Sequence, residues 1–510
     1  MTEHDITGLI ASYIYAFSLL GLATAVQKWR GYSPDFTRKI VHVGAGMWIF
    51  GLFALFDTWY WGVFPIATFI IFNFISYRFT LVKAMDQGNE TPGTVYFVVS
   101  ITLLLTCFWP RNQFWIAAAG IMAMTWGDAF ASVIGRKFGR HFFYIGKHRR
   151  SLEGSTAMFG FSFVAIAASI IGLRFADQSY RGLPFYLESL ALALLMAALA
   201  TFLEAISLYG LDNVFVPIGT TMALFALISW NAPLGRLVAG LALSALIGLL
   251  AYRRQSLTLS GVMGAIITGT LIFGLGGWVM GLTLIAFFVY GTVLSKYKER
   301  QKNVVAADKF EKGSRRDMGQ ALANGGLGAV LAVLYFLYPA SGWLFAAYIG
   351  AMATVNADTW ATELGVLSPH TPRLITSGKK VVPGTSGGIT LLGTSATALG
   401  GLIIGLTVFG LVGGRTVLNN TINWGGFWWL LPVGLVSGLA GSLSDSFMGA
   451  TVQAMYYNEQ AGKETEKKVN RHGQKNTFLR GLSFMDNDAV NFISSGFGAA
   501  MAALLYLWLV

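Results

Sequence analysis

Two apolar segments of the chain carry a carboxylate in the same local pattern. The first is "WGDAFASVIG" (126–135), which contains Asp128, and the second is "NADTWATELG" (356–365), which contains Asp358. A carboxylate at membrane depth is costly, and it usually faces a partner, a cavity or a reacting group. Either residue alone would suit a solvated helix end, but the repetition indicates a shared function.

Each half of the chain places further acidic residues after this first carboxylate. Glu204 and Asp212 follow Asp128 in the segment "LEAISLYGLDN" (203–213). Mg²⁺ takes carboxylate oxygens from proteins, usually together with phosphate oxygens of a bound substrate. The candidate magnesium ligands are Asp128, Glu204, Asp212, Asp358, Glu363, Asp445 and Asp486.

Both carboxylates precede a basic loop that leads into an apolar helix. Gly154 follows Asp128 by 26 residues in "RRSLEGST", and Gly384 follows Asp358 by 26 residues in "KKVVPGTS". The free N–H groups of a helix N-terminus bind phosphate, although a glycine beside a hydroxyl residue also suits an ordinary helix cap. The candidate nucleotide contacts in these loops are Lys147, Arg150, Ser151, Glu153, Gly154, Ser155, Lys379, Lys380, Gly384, Thr385 and Ser386. Phosphoryl transfer requires a metal ion, backbone N–H groups that bind the phosphates, and cations that neutralise their charge. It also requires an acceptor positioned in line with the bond that breaks.

The composition is that of a polytopic membrane protein. Hydrophobic residues make up 55% of the 510 positions and charged residues 12%, against about 25% charged residues in soluble domains. About sixteen apolar runs are long enough to span a bilayer. We therefore predict an all-α membrane protein with about 16 transmembrane helices in two parallel, diverged repeats, and domains at 1–254 and 255–510. The single cysteine, Cys107, excludes an intrachain disulfide and a zinc site built from cysteines.

The basic residues cluster in alternate loops between the apolar runs, which is the positive-inside pattern of membrane proteins. This pattern predicts that both termini lie outside, and that the repeated polar positions lie on the cytoplasmic side of the cytoplasmic (inner) membrane. The net charge of +12 comes from these loops. We therefore expect no nucleic-acid partner.

The motifs of the first half resemble those of the phytol kinase and dolichol kinase family of CTP-dependent polyprenol kinases. They are "RKIVH" (38–42), "WGDAFASVIGRKFG" (126–139), "RRSLEGSTAMF" (149–159) and "LEAISLYGLDNVFVP" (203–217). Arg150-Ser151 stands where this family usually has Lys-Ser, which keeps the charge but changes the hydrogen-bonding geometry.

The second half resembles the phytyl-phosphate kinase family. Its motifs are "GSRRDMGQALANGG" (313–326), "NADTWATELG" (356–365), "GTSGGITLLGT" (384–394), "GSLSDSFMGATVQ" (441–453) and "DNDAVNF" (486–492). The two resemblances together imply a fused, two-site kinase.

On this resemblance, the first half would phosphorylate phytol recovered from chlorophyll, and the second would convert phytyl phosphate to the diphosphate that feeds tocopherol synthesis. CTP is the implied phosphoryl donor and Mg²⁺ the implied cofactor. The implied partners are a long-chain isoprenoid alcohol, its monophosphate and the lipid bilayer. The motifs add these residues to the candidate nucleotide contacts: Arg38, Lys39, Asn213, Gln320, Asn324, Asn487 and Asn491.

The two acceptors differ in charge, and this difference suggests separate catalytic groups. An alcohol must lose a proton, so a base such as Asp212 or His42 is plausible, although His42 would also suit an ordinary packed position. A monophosphate is already anionic and needs positive charge, which Arg316 supplies at the start of an apolar helix. The implied catalytic residues are Asp128, Asp212, His42, Asp358, Asp486 and Arg316.

Three alternatives remain open at the level of sequence. One half could be the working kinase and the other a scaffold. A lipid-phosphate cytidylyltransferase would use similar groups but would release pyrophosphate. A transporter built on parallel repeats would place its polar residues near the bilayer midplane.

Overall fold

Long apolar segments of the chain form helices, because a helix satisfies its own backbone hydrogen bonds where no water is present. A computed structural model describes residues 1–79, 92–145, 148–175, 182–298, 301–302, 315–418, 425–460, 462–466, 468–469 and 474–510. In this part of the chain, fourteen helices are long and apolar enough to cross a membrane. The predicted all-α membrane fold is confirmed.

The chain divides into two compact units, Met1–Leu234 and Gly235–Val510. The helices of the first unit are α1 (Glu3–Arg30), α2 (Pro34–Leu55), α3 (Trp59–Phe79), α4 (Gly93–Phe108), α5 (Phe114–Phe138), α6 (Leu152–Phe175), α7 (Leu183–Ile206) and α8 (Asp212–Ser229). Those of the second are α9 (Leu234–Arg253), α10 (Leu259–Lys296), α11 (Met318–Leu337), α12 (Gly342–Gly365), α13 (Leu391–Leu418), α14 (Leu430–Thr451) and α15 (Asn487–Leu509).

Short antiparallel strands connect some of these helices. The strands are β1 (Phe142–Ile145) with β2 (His148–Ser151), β3 (Arg373–Leu374) with β4 (Gly388–Ile389), and β5 (Met455–Asn458) between β6 (Lys463–Thr465) and β7 (Thr477–Arg480). The last sheet is built from the polar insertion between α14 and α15.

The division between the units lies before α9, twenty residues earlier than the sequence suggested. Leu237 of α9 packs on Gly274 of α10, and Ala251 clusters with Leu257 and Val262. The apolar face of α9 is therefore buried in the second unit.

Helix α10 is two membrane segments joined at a glycine. Gly277 has φ 82° and ψ −179°, a conformation open to glycine because it has no side chain. The ring of Phe273 lies against Gly281, whereas eight residues of a straight helix would separate them by about 12 Å. The chain thus reverses here, so that arms 259–276 and 278–296 correspond to the two separate spans that the sequence predicts at about 256–275 and 277–295.

One helix lies at the centre of each unit. Helix α5 is buried almost continuously from Ile116 to Thr125, and α12 is buried from Ala346 to Ala357. The polar residues that follow Ala357 lower the hydropathy of α12, which is not among the fourteen candidate spans. Both central helices therefore combine a packed apolar part with a polar C-terminal part.

The two units share a close approach between the central helix and the helix that follows it. In the first unit Gly154 N donates to Ser151 Oγ at 3.1 Å, and a Cβ added to Gly154 would lie 3.3 Å from Gly135 Cα. In the second unit Gly393 N donates to Thr390 Oγ1 at 3.0 Å.

A Cβ added to Gly393 would lie 3.5 Å from Gly365 Cα, so Gly393 is the structural counterpart of Gly154. The pairing of Gly154 with Gly384 was wrong. Its 26-residue spacing is coincidental, because additional residues form the β3–β4 connection before the second cap.

Candidate active sites

The first unit contains a cavity of about 1080 Å³ where several helix ends meet. The N-terminal parts of α2, α6 and α8 and the C-terminal parts of α5 and α7 contribute polar side chains, and the β1–β2 hairpin contributes arginines. The predicted residues that line it are Arg38, Lys39, His42, Asp128, Arg150, Ser151, Gly154, Ser155, Glu204, Asp212 and Asn213. Tertiary packing thus brings the first-half motifs into one site.

Asp128 forms an ion pair with Lys39, whose side chain extends from α2. The two side chains are only 14% and 12% exposed, so the pair is shielded from water. His42 lies one turn beyond Lys39, with Nε2 3.3 Å from the Met124 carbonyl oxygen and its ring 4.2 Å from that of Phe97. His42 is therefore both packed and part of the cavity wall.

Arg150 links the hairpin to the end of α7. Its Nη1 lies 2.9 Å from Glu204 Oε1, and its Nη2 donates to the carbonyl oxygens of Glu204 at 3.0 Å and Ser207 at 3.1 Å. Its Nε is buried and has no hydrogen-bond partner among the described residues. A buried, unused N–H group on a cavity-lining guanidinium fits an anionic ligand such as phosphate.

Three carboxylates of the first cavity interact electrostatically: Asp128, Glu204 and Asp212. Asn213 Nδ2 donates to Asp212 Oδ1 at 3.1 Å and to the Gly210 carbonyl oxygen at 3.2 Å, which fixes the Asp212 side chain at the start of α8. Among the described residues, no three His, Cys, Asp or Glu side chains lie close enough to hold a metal by themselves. Such a set fits Mg²⁺ that arrives with phosphate oxygens, since Mg²⁺ usually needs only one or two carboxylates from the protein.

Two first-half candidates lie elsewhere. Glu153 is outside the lining of this cavity, and its Oε1 lies 2.7 Å from His141 Nδ1. It therefore stabilises the start of the hairpin rather than contacting a ligand there. Lys147 lies outside the described residues.

The second unit contains a cavity of about 500 Å³ around the polar part of α12. The predicted residues that line it are Arg316, Gln320, Asn324, Asp358, Glu363, Gly384, Thr385, Ser386, Asp445, Asn487 and Asn491. Thr390, Gly393 and Thr394, which follow the loop and begin α13, line it as well. The second-half motifs therefore also form one site.

Glu466 joins this site without having been predicted. It interacts electrostatically with Asp358 and Asp445, and its Oε1 accepts a hydrogen bond from Ser386 Oγ at 2.6 Å. Asp445 Oδ2 accepts from Ser494 Oγ at 3.1 Å. Glu466 follows β6 in the polar insertion, where no sequence motif distinguishes it from its solvated neighbours.

Glu363 and Asp486 have roles other than the predicted ones. Both oxygens of Glu363 are engaged, one by Lys302 Nζ at 2.5 Å and the other by Ser295 Oγ at 2.6 Å. Asp486 is the N-cap of α15 and accepts from Ala489 N at 3.1 Å, and it is outside the cavity lining. The carboxylates that converge with Asp358 are thus Asp445 and Glu466.

The two lysines of the second loop are also outside the cavity. Lys379 and Lys380 are exposed in the β3–β4 connection. They are not counterparts of Arg149 and Arg150 in the first unit. When the caps Ser151 and Thr390 are aligned, the residues that correspond to these two arginines are Gly388 and Ile389.

Arg316 has a fixed backbone and an available side chain. Its N donates to the Ser256 carbonyl oxygen at 3.0 Å and its carbonyl oxygen accepts from Thr258 N at 2.9 Å. The guanidinium lies 5.5 Å from the Phe287 ring centroid and lines the cavity. Burial lowers the pKa of Arg316, and the nearby Glu363 carboxylate raises it. Within the described part of the chain this guanidinium forms no hydrogen bond or ion pair.

Cations line both cavities, which weakens the charge argument for the order of the two reactions. Among the described residues, the arginines and lysines of the first cavity are Arg38, Lys39, Arg136, Arg149 and Arg150. Those of the second are Lys302 and Arg316. Positive charge alone therefore does not assign the phosphorylated acceptor to the second unit.

Residues 242–499, half of the chain, match the family described as "Integral membrane protein DUF92". The chain belongs to the DUF92 family. It is 34% identical over 281 residues to Protein PGR of Arabidopsis thaliana, covering 52% of this chain and 94% of that protein.

Two further relatives of this DUF92 member are informative. The phytol kinase of Synechocystis sp. is 30% identical over 224 residues, which cover 44% of this chain and 89% of the kinase. Protein VTE6, chloroplastic, of Arabidopsis thaliana is 26% identical over 254 residues, covering 49% of this chain and 65% of that protein. No solved structure matches the chain.

Proposed function

We propose that this protein is a membrane-embedded kinase of isoprenoid alcohols with two active sites, one in each unit. The first unit converts an alcohol such as phytol to its monophosphate, and the second converts the monophosphate to the diphosphate. One observation carries the proposal. In each unit, carboxylates converge beside an arginine and beside the start of a helix that a serine or threonine hydroxyl caps. The similarity to a protein named phytol kinase supports the choice of acceptor.

In the first unit, chain residues would hold and orient both substrates. Arg150 and the Ser151–Gly154 turn bind donor phosphates, since charge-assisted hydrogen bonds to phosphate are the strong ones. Asp128, with Glu204 or Asp212, would hold Mg²⁺, which when bound neutralises phosphate charge. The ion pair with Lys39 holds the Asp128 carboxylate at the cavity wall.

The reaction itself forms one bond and breaks one. The alcohol oxygen attacks the γ-phosphorus, the bond between that phosphorus and the β–γ bridging oxygen breaks, and the nucleoside diphosphate leaves. The alcohol proton passes to a base, for which Asp212 or His42 is positioned on the cavity wall. In line with the family resemblance, the donor is CTP.

In the second unit the acceptor is an anion, and Arg316 would bind its phosphate through two parallel hydrogen bonds. Asp358, with Asp445 or Glu466, would hold Mg²⁺ together with the donor phosphates. No base is needed, because the attacking oxygen of a monophosphate is already largely deprotonated at neutral pH, its second pKa being about 6.

The charge bias of the loops supports placing both sites on the cytoplasmic side of the cytoplasmic membrane, with both termini outside. In this arrangement the nucleotide comes from the cytoplasm and the isoprenoid from the bilayer. Transfer thus takes place at the interface between the two phases.

The deciding experiment uses the purified full-length protein in lipid nanodiscs with Mg²⁺ and phytol. We expect CTP to give phytyl monophosphate first and diphosphate later, with release of CDP, and we expect ATP to be a poorer donor. Release of pyrophosphate would indicate a cytidylyltransferase. Accumulation of monophosphate alone would indicate a single active unit, and absence of any phosphorylated product would refute the kinase assignment.

A further inference from the structure

An apolar chamber of about 110 Å³ lies inside the first unit, between α1, α2, α3 and α4. Five residues line both this chamber and the large polar cavity: Val41, Ala45, Asn73, Phe97 and Val98. The chamber therefore adjoins the site that holds Asp128 and lies on its bundle side, with these five residues at the junction.

Along α2 the residues that line the two spaces change from polar to apolar. Lys39 and His42 face the polar cavity, Ala45 lies at the junction, and Ile49 and Leu52 line the chamber. From Ala45 to Leu52 a helix rises about 10 Å. Ile49 and Leu52 are 2% and 1% exposed, so the chamber is closed at this end by packed side chains.

Three polar side chains deep in the chamber wall, those of Ser12, Tyr15 and Trp48, are hydrogen-bonded within the unit. Trp48 Nε1 donates to Ser12 Oγ at 3.1 Å, and Tyr15 Oη donates to the Gly44 carbonyl oxygen at 2.9 Å. The rings of Tyr15 and Trp48 stack with centroids 4.5 Å apart. Asn73, at the junction with the polar cavity, donates from Nδ2 to the Thr94 carbonyl oxygen at 3.4 Å. Among the described residues the deeper wall is apolar apart from the paired groups of Ser12, Tyr15 and Trp48, and apolar cavities stay dry and take up hydrocarbon.

We propose that this chamber binds the head-proximal isoprene unit of the acceptor alcohol and so places its hydroxyl group beside Asp128. The inference rests on the proposed alcohol kinase activity. At about 110 Å³ the chamber is smaller than the apolar cavity of about 150 Å³ that accommodates benzene, so it has room for no more than one five-carbon unit. The rest of a long tail would leave the chamber sideways between α1 and α3, where Leu19, Ile66 and Phe69 of the wall are only half-buried. The protein would then select for the first unit rather than for the total chain length.

Ala45 is the specificity-determining residue in this arrangement. It lines both spaces, while Phe97 occupies the same junction with its ring against His42. A large side chain at position 45 would occupy the junction between the two spaces. It would exclude the isoprene unit without touching the carboxylates or the arginines that serve the nucleotide.

The test compares Ala45→Phe with Ala54→Phe in the full-length protein in nanodiscs. Ala54 is on the same helix but is exposed on the outer surface of the unit, so its replacement controls for the added ring. For Ala45→Phe we expect the KM for phytol to rise at least ten-fold with the KM for CTP unchanged. Ala54→Phe should leave both values unchanged, and Ala45→Val should give an intermediate rise.

A binding measurement makes the result independent of turnover. A phytol analogue with a diazirine in its first isoprene unit is photolysed with each variant, and labelled peptides are mapped. We expect labelling of α2 and α4 that excess phytol suppresses and that Ala45→Phe abolishes. Equal labelling in the two Phe variants, or labelling that phospholipid displaces and phytol does not, would overturn the chamber assignment.

The two hypotheses fail in different ways. If wild-type protein shows phytol-competed labelling of α2 and α4 but forms no phosphorylated product, the chamber stands and the kinase proposal is wrong. If the protein phosphorylates phytol but Ala45→Phe behaves like Ala54→Phe, the kinase proposal stands and the chamber does not hold the acceptor.

Discussion

Lys39 of α2 and Asp128 of α5 form a shielded ion pair in the first cavity, 89 residues apart in sequence. Each residue belongs to a different motif, so the pair explains why both motifs occur in one chain. Removing one partner of a buried pair leaves an uncompensated charge, which typically costs about 3–5 kcal/mol. The pair is therefore expected to matter for folding as well as for activity.

Asp128→Asn should abolish phosphorylation of the alcohol and leave conversion of added phytyl phosphate intact. The reason is that each unit has its own set of carboxylates. The measurement follows both steps separately, and thermal unfolding is recorded because the unpaired Lys39 destabilises the first unit. Glu188→Gln on α7 is the control, since Glu188 pairs with Arg174 and does not line the cavity. Loss of both steps in a folded Asp128→Asn protein would contradict independent sites.

Glu466→Gln should raise the Mg²⁺ concentration needed for half-maximal phosphorylation of the monophosphate. Neighbouring carboxylates that repel one another are stabilised by a cation, and neutralising Glu466 lowers the affinity for that cation. Glu464→Gln is a matched control, because Glu464 lies two residues away on β6 and is exposed. An unchanged Mg²⁺ requirement in Glu466→Gln would assign Glu466 to anchoring the Ser386 loop only.

Gly154→Ala should destabilise the first unit, whereas Gly160→Ala on the same helix should not. An added Cβ at Gly154 would lie 3.0 Å from Ser151 Oγ and 3.2 Å from the Ala131 carbonyl oxygen, while at Gly160 it would meet nothing within 4 Å. Overpacking typically costs about 1–3 kcal/mol, and alanine in a free helical position gains up to about 1 kcal/mol over glycine. Unfolding temperatures of the two variants provide the measurement. Equal shifts would mean that α5 and α6 do not approach at Gly154.

The sequence singles out Asp128 and Asp358, each of which lines a cavity, because a charged residue within an apolar helix stands out against its surroundings. It also predicted the spans on either side of Gly277, where a glycine interrupts a continuous apolar run. Both signals are local, and local signals are what a single sequence reports reliably.

The errors arose where a role depends on distant contacts. Gly393 was passed over because Gly384 offered the same spacing, although "TLLG" repeats the hydroxyl-x-x-Gly cap of "SLEG". Asp486 precedes a helix and caps it, which is the ordinary role of such a residue. Glu466 could not be found, since only the folding of the insertion brings β6 back to Ser386.

Arg316→Ala should weaken use of phytyl phosphate and leave the alcohol step unchanged. The guanidinium lines the second cavity, and the fixed backbone at Ser256 and Thr258 limits its ability to turn away. Hydrogen bonds to charged groups contribute about 1.5–3 kcal/mol. We therefore expect kcat/KM for the monophosphate to fall roughly ten- to a hundred-fold, since 1.4 kcal/mol is a factor of ten.

Two further variants distinguish phosphate binding by Arg316 from a general effect of loop charge. Arg316→Lys should recover only part of the activity, because an ammonium group cannot form two parallel hydrogen bonds to one phosphate. Lys380→Ala removes an exposed charge outside the cavity and should change little. If Arg316→Ala and Lys380→Ala have the same effect, Arg316 serves only membrane topology. The phosphate of the second acceptor must then be bound elsewhere, with Lys302 the remaining lysine or arginine among the described residues of that cavity wall.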